Sequence, residues 1–216
     1  SEVIENRMTV AASIVVAACL SSCSSKDSGG AYADNICKAK EAAYMGDYET
    51  AQASYEAALR IRPNSIAATA GLAGCDLRNG DLDAATAKAE SLIAGHPELA
   101  IGYRLRARVR HLSLDPHGTL EDTDRVLVID PGDKEYLLSK ATILAQSGRI
   151  KAAGAILKSL RDDGKFSAVA NLQLSMLYRF VEDHSRSLQC MNEAIEQAGK
   201  KSGLLRSRSV IYLAKG

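Results

Sequence analysis

Three basic side chains near the middle of the chain have the spacing of one helix face. Arg104, Arg108 and His111 are separated by four and then three residues, which places them on one stripe of an α-helix. The planar guanidinium group of Arg binds a carboxylate through two parallel hydrogen bonds. We therefore expect this stripe to bind acidic groups. Arg106 and Arg110 alternate with it, so the four Arg side chains do not share one face and some of them are simply solvated.

The sequence offers little support for catalysis. It contains no GxSxG, HExxH or P-loop pattern. Two acidic pairs, Glu121-Asp122 and Asp162-Asp163, are adjacent in sequence on predicted helix surfaces or turns, where solvation explains them better than acid–base chemistry does. We therefore expect a protein that is not an enzyme.

The cysteines and histidines form no pattern typical of a metal site. The five cysteines are an odd number without a CxxC pair, and the four histidines are scattered. Cys37, Cys75 and Cys190 stand among apolar neighbours in predicted helices, so we expect them to pack in the core. The sequence predicts neither a structural metal nor a cofactor.

Composition favours an all-helical core and argues against nucleic-acid binding. The chain has 216 residues, with 27 Lys and Arg against 26 Asp and Glu, so a strongly basic surface is not expected. Hydrophobic residues make up 46% of the chain, but aromatic residues only 5%. Small apolar residues, above all Ala, must therefore fill the core, and Ala favours helix because it loses no side-chain entropy there.

The elements that position the basic stripe follow from an internal repeat of 34 residues. Pro63, Pro97 and Pro131 recur at this interval. One register of the same period holds glycine at four of its six positions: Gly46, Gly80, Gly148 and Gly216. The other two positions of that register hold Leu114 and Glu182. A fixed period of this length indicates stacked supersecondary units.

Columns of small residues support the same register when Tyr32 is taken as position one. Position eight is small in every repeat: Ala39, Ala73, Ala107, Ala141, Ser175 and Ser209. Position twenty is also small throughout: Ala51, Ala85, Thr119, Ala153 and Ser187. A third column, position twenty-seven, is apolar: Ala58, Leu92, Val126, Leu160 and Ala194. Two antiparallel helices in close contact need small residues where their backbones approach. The Gly near position fifteen ends the first helix, and the Pro at position thirty-two ends the second.

These features resemble the tetratricopeptide repeat, whose pattern has small residues at positions eight, twenty and twenty-seven, Gly near fifteen and Pro at thirty-two. The resemblance covers residues 32–216 and implies an all-α, right-handed superhelical α-solenoid of antiparallel helix hairpins. We expect five repeats: 32–65, 66–99, 100–133, 134–167 and 168–201. A final helix at 202–216 would cap the last open face; alternatively, the sequence stops within a sixth repeat.

In this family the first helices line a concave groove, and positions five, nine and twelve point into it. The resemblance therefore places a peptide-binding surface on nine residues: Lys40, Arg104, Arg108, His111, Leu138, Leu172, Met176, Arg179 and Arg206. These three columns contain no acidic residue, so we expect a protein or peptide partner with acidic groups and apolar anchors. The carboxylate-clamp subtype needs Lys and Asn at positions five and nine of its first repeat, where this chain has Ile36 and Lys40.

The N-terminal segment resembles the signal sequence of a bacterial lipoprotein. Residues 8–20 are apolar but shorter than a membrane span, which needs about 20 residues. Leu20-Ser21-Ser22-Cys23 then resembles a lipobox. We expect a signal peptide at 1–22, lipidation of Cys23 and a flexible tether at 23–31. Cys19 competes as the lipidated residue, and a buried apolar helix is the alternative interpretation of the segment.

The combined resemblances imply a lipid-anchored adaptor that faces the periplasm and holds other proteins. Ser24 follows the cysteine, and by resemblance this favours the outer membrane. Assembly of an envelope complex such as a pilus or secretion apparatus is the leading expectation. A recruiting platform that regulates a cell-wall hydrolase or protease is one alternative, and a soluble cytoplasmic scaffold is another. Self-association is also compatible with such a groove.

Overall fold

A computed structural model describes residues 28–198 together with residues 207, 208 and 211. The expected signal peptide, Cys23 and Arg206 lie outside the described residues. Within the described part, the chain consists of ten helices and contains no strand. It divides into two compact units, Ser1–Asp115 and Pro116–Gly216, which we describe separately as unit 1 and unit 2.

Unit 1 contains five helices, each of which packs against its neighbours in the chain. They are α1 (Ser28–Met45), α2 (Tyr48–Ile61), α3 (Ile66–Asn79), α4 (Leu82–Gly95) and α5 (Ala100–Leu112). Unit 2 contains the other five, which are packed in the same sequential way. They are α6 (Pro116–Ile129), α7 (Lys134–Gln146), α8 (Ile150–Arg161), α9 (Ser167–Phe180) and α10 (His184–Ala198). Residues 207, 208 and 211 are also helical, and Ile211 is buried against α10.

The first helix begins earlier than the repeat register predicts. It starts at Ser28 instead of Tyr32, so residues 28–31 of the expected tether are helical. Tyr32 is anchored at this end of the helix, because its hydroxyl lies 2.6 Å from Ser65 Oγ and the Arg62 guanidinium lies 4.3 Å from its ring centroid. This anchored turn gives the preceding residues a helical template to extend.

The columns of small residues lie in the core of both units. Ala39 and Ala51 share one buried cluster, as do Ala141 and Ala153 in unit 2. In the last hairpin both positions are serine, and the pair is held by hydrogen bonds: Ser187 Oγ donates to the Ser175 carbonyl at 2.8 Å, and the two Oγ atoms lie 3.1 Å apart. The small side chains therefore permit the close helix approach for which the sequence selects them.

The turn that follows the first helix of each hairpin has one backbone geometry, whichever residue occupies it. Position fifteen adopts positive φ in every case: Gly46, Gly80, Leu114, Gly148 and Glu182. The next amide donates to the carbonyl five residues earlier each time, as from Asp47 to Ala42 at 2.9 Å and from Asp183 to Tyr178 at 2.8 Å. This hydrogen bond is the closing bond of a Schellman cap. It imposes the left-handed conformation even on Leu114 and Glu182, the two positions where glycine is missing.

The residue after the turn caps the second helix in three hairpins, and a fourth hairpin lacks this bond. Asp47, Asp81 and Asp183 each accept a hydrogen bond at 3.0 Å from the amide three residues later. Arg149 stands at the same position before α8, and it makes no side-chain capping bond. The α8 helix therefore begins without the side-chain acceptor that the corresponding helices have.

Candidate functional site

Position five of the repeat contributes mainly to the core in the described hairpins. Ile36 is buried in the first core cluster of unit 1. Leu138 and Leu172 in unit 2 are half-buried and pack against buried clusters on α7–α10. Only part of the surface of these two leucines is therefore left for the predicted binding role, because the rest packs against the core.

Positions nine and twelve supply the exposed part of the predicted surface in unit 1. Lys40 on α1 and both Arg108 and His111 on α5 are exposed, whereas Arg104 is half-buried. Arg108 and His111 are three residues apart, so they lie on the same side of α5. The solvent-accessible basic groups of α5 on this stripe are thus Arg108 and His111, with Arg104 at the margin.

In unit 2 the predicted surface contains an apolar cavity between α7 and α9. Its volume is about 460 Å³, within the range of small binding sites. Its walls include Thr142, Ala145 and Ile150 on one side and Met176 and Phe180 on the other. We call it the Met176 pocket. It brings together positions nine and twelve of repeat four with position nine of repeat five.

The polar edge of the Met176 pocket is fixed by a hydrogen bond between its two helices. Gln173 Nε2 on α9 donates to Thr142 Oγ1 on α7 at 3.0 Å. Arg179 is exposed one residue before Phe180, near the end of the same helix. The pocket therefore combines an apolar lining with an ordered polar edge, and α9 adds a cation.

The most exposed apolar side chain of the Met176 pocket belongs to a column that the sequence analysis did not use. Phe180, at position thirteen, is 74% exposed. Position thirteen also exposes Tyr44 by 65% and Leu112 by 54%. A residue four positions after position nine lies on the same helix face. Large apolar residues recur at position thirteen, and this pattern in the sequence could have predicted that the position belongs to the surface.

The cysteines of the described helices are suited to packing and not to nucleophilic chemistry. Cys75 and Cys190 are buried, and Cys37 is half-buried. Burial raises the pKa of the Cys75 thiol, and the neighbouring charge of Asp76 raises it further. Burial is also the largest cause of the raised pKa of Cys190. Both thiols are therefore protonated and unreactive near neutral pH.

The described helices contain no group of three or more His, Cys, Asp or Glu side chains with metal-binding geometry. None of those helices combines the length and apolar character that crossing a bilayer requires.

The sequence itself contains a recognisable repeat family. Residues 42–109 match the family model of the tetratricopeptide repeat. Residues 42–109 carry tetratricopeptide repeats. The matched segment runs from the end of α1 to α5, and it includes part of the pattern on which the resemblance was based, namely Ala51, Ala73, Ala85 and Ala107 with the turns at Gly46 and Gly80. The tetratricopeptide prediction is thereby confirmed for this segment, while the lipoprotein resemblance stays a prediction.

Solved structures extend the tetratricopeptide fold over most of the chain. A tetratricopeptide repeat protein from Parabacteroides merdae is 22% identical, with a TM-score of 0.71 over 86% of this chain and 74% of its own. Pseudomonas aeruginosa pilF is 16% identical, with a TM-score of 0.71 over 82% and 81%. YrrB, described as having an unusual peptide-binding site, is 18% identical, with a TM-score of 0.63 over 81% and 90%.

These similarities identify the fold, and they support the general role of a repeat scaffold for protein interactions. No protein of curated function matches the sequence. The all-α hairpin architecture that the repeat register predicts is confirmed for the described residues.

Proposed function

We propose that the chain is a lipid-anchored adaptor that faces the periplasm and holds a segment of another protein. The Met176 pocket is the single observation that carries the binding part of the proposal. It is apolar, it lies on the helix face that the tetratricopeptide resemblance assigns to binding, and Met176 and Phe180 leave more than half of their surface uncovered. Exposed apolar side chains around a cavity are typical of an interaction site.

The chemistry of the partner follows from the two kinds of surface. In unit 2 the pocket accepts an apolar anchor, and the exposed Arg179 can pair with an acidic residue beside it. In unit 1 the exposed Lys40, Arg108 and His111 attract acidic groups. We expect the partner segment to combine apolar anchors with acidic residues.

Affinity capture from an envelope extract tests the binding site. We compare the wild-type chain with Phe180→Asp and with Val128→Asp, a matched control on α6 at an exposed valine that does not line the pocket. The proposal expects a partner captured by wild type and Val128→Asp and lost with Phe180→Asp. Equal capture by the wild-type chain and both variants contradicts a role for the Met176 pocket. Arg108→Glu is expected to weaken capture and to reduce its dependence on salt.

The anchoring part of the proposal rests on Leu20-Ser21-Ser22-Cys23 and the polar residues that follow. Ser24 after the cysteine supports the outer membrane as the destination. Metabolic labelling with a radioactive fatty acid tests this directly. Label is expected in the wild-type chain and absent from Cys23→Ala, whereas loss of label only in Cys19→Ala would move the site to Cys19. An unlabelled wild-type chain that fractionates with the cytoplasm supports a soluble scaffold instead.

Assembly of an envelope complex is the pathway that we propose for the adaptor. A role in assembling an envelope complex, such as a pilus or a secretion apparatus, agrees with a lipobox joined to a tetratricopeptide array. The identity of the captured partner decides it: an assembly subunit supports this role, and a cell-wall hydrolase or protease supports a recruiting platform.

A further inference from the structure

A second cavity of unit 2 lies on the other side of α9 from the Met176 pocket. Its volume is about 410 Å³, and it lies where α8, α9 and α10 meet. Its apolar lining includes Leu174 and Tyr178 of α9 and Val181, which directly follows that helix. We call it the Gly154 pocket, after the α8 residue in its wall. Of the described lining residues, the two pockets share only Ile150 and Leu177, so they use largely different faces of α9.

The Gly154 pocket exists because one side chain is missing. Position twenty-one of the repeat holds a side chain in the other four repeats, and it is Leu120 in repeat three and Leu188 in repeat five. Those two leucines pack in or against core clusters, whereas a Cβ on Gly154 would have no atom within 4 Å. Gly154 lies inside α8, where glycine is unfavourable. Neither a turn nor a close helix contact requires glycine there, so the open cavity is its structural consequence.

Among the residues that the structure describes, the charged ones in the wall of the Gly154 pocket are all cations: Lys151, Lys158 and Arg186. Arg186 is partly engaged, since its Nε lies 3.0 Å from Asp183 Oδ2. Lys151 and Lys158 are exposed and have no ion pair with any residue that the structure describes. An apolar cavity bordered by cations without partners suits a ligand with an apolar end and an anionic end.

We propose that the Gly154 pocket binds an amphiphilic carboxylate. The apolar part of the ligand lies over Leu174 and Val181 in the space left by Gly154, and the carboxylate pairs with Lys151 and Lys158. Two sources share this chemistry: a free fatty acid of short or medium chain, and the C-terminal apolar residue of a polypeptide. The site is separate from the proposed adaptor surface and does not depend on it.

Calorimetric titration with defined probes tests the pocket. Octanoate is expected to bind the full chain, and octylammonium, which has the same tail and the opposite charge, to bind at least about tenfold more weakly. A short peptide ending in Leu is titrated with a free and with an amidated C-terminus. Binding of octanoate alone points to a fatty acid, and binding of the free-acid peptide over its amide points to a polypeptide terminus. Either pattern supports the proposal, whereas absence of binding by both carboxylate probes overturns it.

Matched variants locate the binding. Gly154→Leu fills the cavity and is expected to abolish binding, and Gly74→Leu is its control because Gly74 is also a helical glycine with open space around it, in unit 1. Lys151→Glu with Lys158→Glu is expected to raise the Kd for octanoate by about tenfold or more. The control for net charge is Lys38→Glu with Arg60→Glu, at exposed positions of unit 1. An unchanged Kd in the paired Lys variant overturns the proposal even if Gly154→Leu fails to fold.

Discussion

The α3–α4 hairpin of unit 1 and the α7–α8 hairpin of unit 2 have the same backbone turn but begin their second helices differently. Gly80 and Gly148 both adopt positive φ. After Gly80, the Asp81 side chain accepts a hydrogen bond from the Ala84 amide at 3.0 Å. After Gly148, Arg149 provides no such bond. The turn is thus a property of the repeat, whereas the helix cap is a property of the individual hairpin.

The two hairpins also differ in the charge and composition of the second helix. The first turn of α4 carries Asp83, which complements the positive end of the helix dipole. The first turn of α8 has no acidic residue, and Lys151 lies in it. The interior of α8 contains Gly154, where α4 has Thr86.

The departures of the α7–α8 hairpin are residues that line a cavity or stand next to such residues in the sequence. Gly148 and Ile150 line the Met176 pocket, and Lys151 and Gly154 line the Gly154 pocket. Arg149 stands between Gly148 and Ile150 in the sequence. Residues that weaken their own helix and border a proposed binding cavity are the kind of local inconsistency expected at functional positions. The comparison shows that the residues expected to lower the stability of α8 also give it a cationic and open surface.

The largest effect is expected when the regular hairpin is given the start of the irregular one. Asp81→Arg removes the capping acceptor of α4 and places a cation at the helix N-terminus. We expect the free energy of unfolding to fall by about 1–2 kcal/mol, measured by urea denaturation. Lys88→Arg, which keeps the charge that pairs with Asp76 at 2.7 Å, is a control expected to change little. A loss below about 0.3 kcal/mol would show that the cap does not stabilise α4.

The reciprocal exchange should stabilise the irregular hairpin. Arg149→Asp supplies α8 with the side-chain acceptor that Asp47, Asp81 and Asp183 give their helices. The expected gain is about 1 kcal/mol in the free energy of unfolding. Arg149→Ala removes the cation without adding an acceptor, so it should gain less. Equal gains in the free energy of unfolding of the two variants contradict the capping explanation. They would show that removal of the Arg149 charge alone accounts for the gain.

Gly154→Ala tests the cost of the helical glycine. The added Cβ enters open space, so the substitution should raise the free energy of unfolding by about 0.5–1 kcal/mol through helix propensity alone. Thr86→Gly in α4 is the reverse change, and it should be destabilising. A destabilising effect of Gly154→Ala would mean that something occupies the space above Gly154.

The smallest effects are expected at the two turns that lack glycine. Glu182 has a φ of 61°, a region that L-residues avoid and glycine adopts freely. Glu182→Gly should therefore raise the free energy of unfolding by about 0.5–1 kcal/mol, less the entropy that glycine adds to the unfolded chain. Glu182→Asn, a residue that tolerates this conformation, should give part of the gain. A loss of stability in both variants would show that the Glu182 side chain makes a stabilising contribution larger than the strain.

The repeat register predicted the features that depend on backbone approach, because these require particular residue sizes at fixed positions. The small columns and the glycine turns are examples, as Ala39, Ala51 and Gly80 show. From the sequence, Leu114 and Glu182 were interpreted as positions where the glycine of the turn is missing. A closing hydrogen bond between backbone groups determines the left-handed turn there. Because the side chain takes no part in this bond, the residue type does not reveal the turn.

The candidate sites were less accessible from the sequence, because a cavity depends on how several helices pack. Phe180 could have been found from the register of position thirteen, whereas the Gly154 pocket requires α8, α9 and α10 to be assembled. The interpretation of Leu172 as a groove residue left out its contact with the core cluster of α10. One side chain can face a groove and still be half-buried by its neighbours.

Hydrogen–deuterium exchange of the chain with and without its captured partner tests the central claim that the partner binds at the Met176 pocket. The account predicts slower exchange of the amides of α7 and α9 that border the pocket, near Ala145 and Met176, and no such change with Phe180→Asp. Slower exchange confined to other helices, with α7 and α9 unchanged, would contradict it.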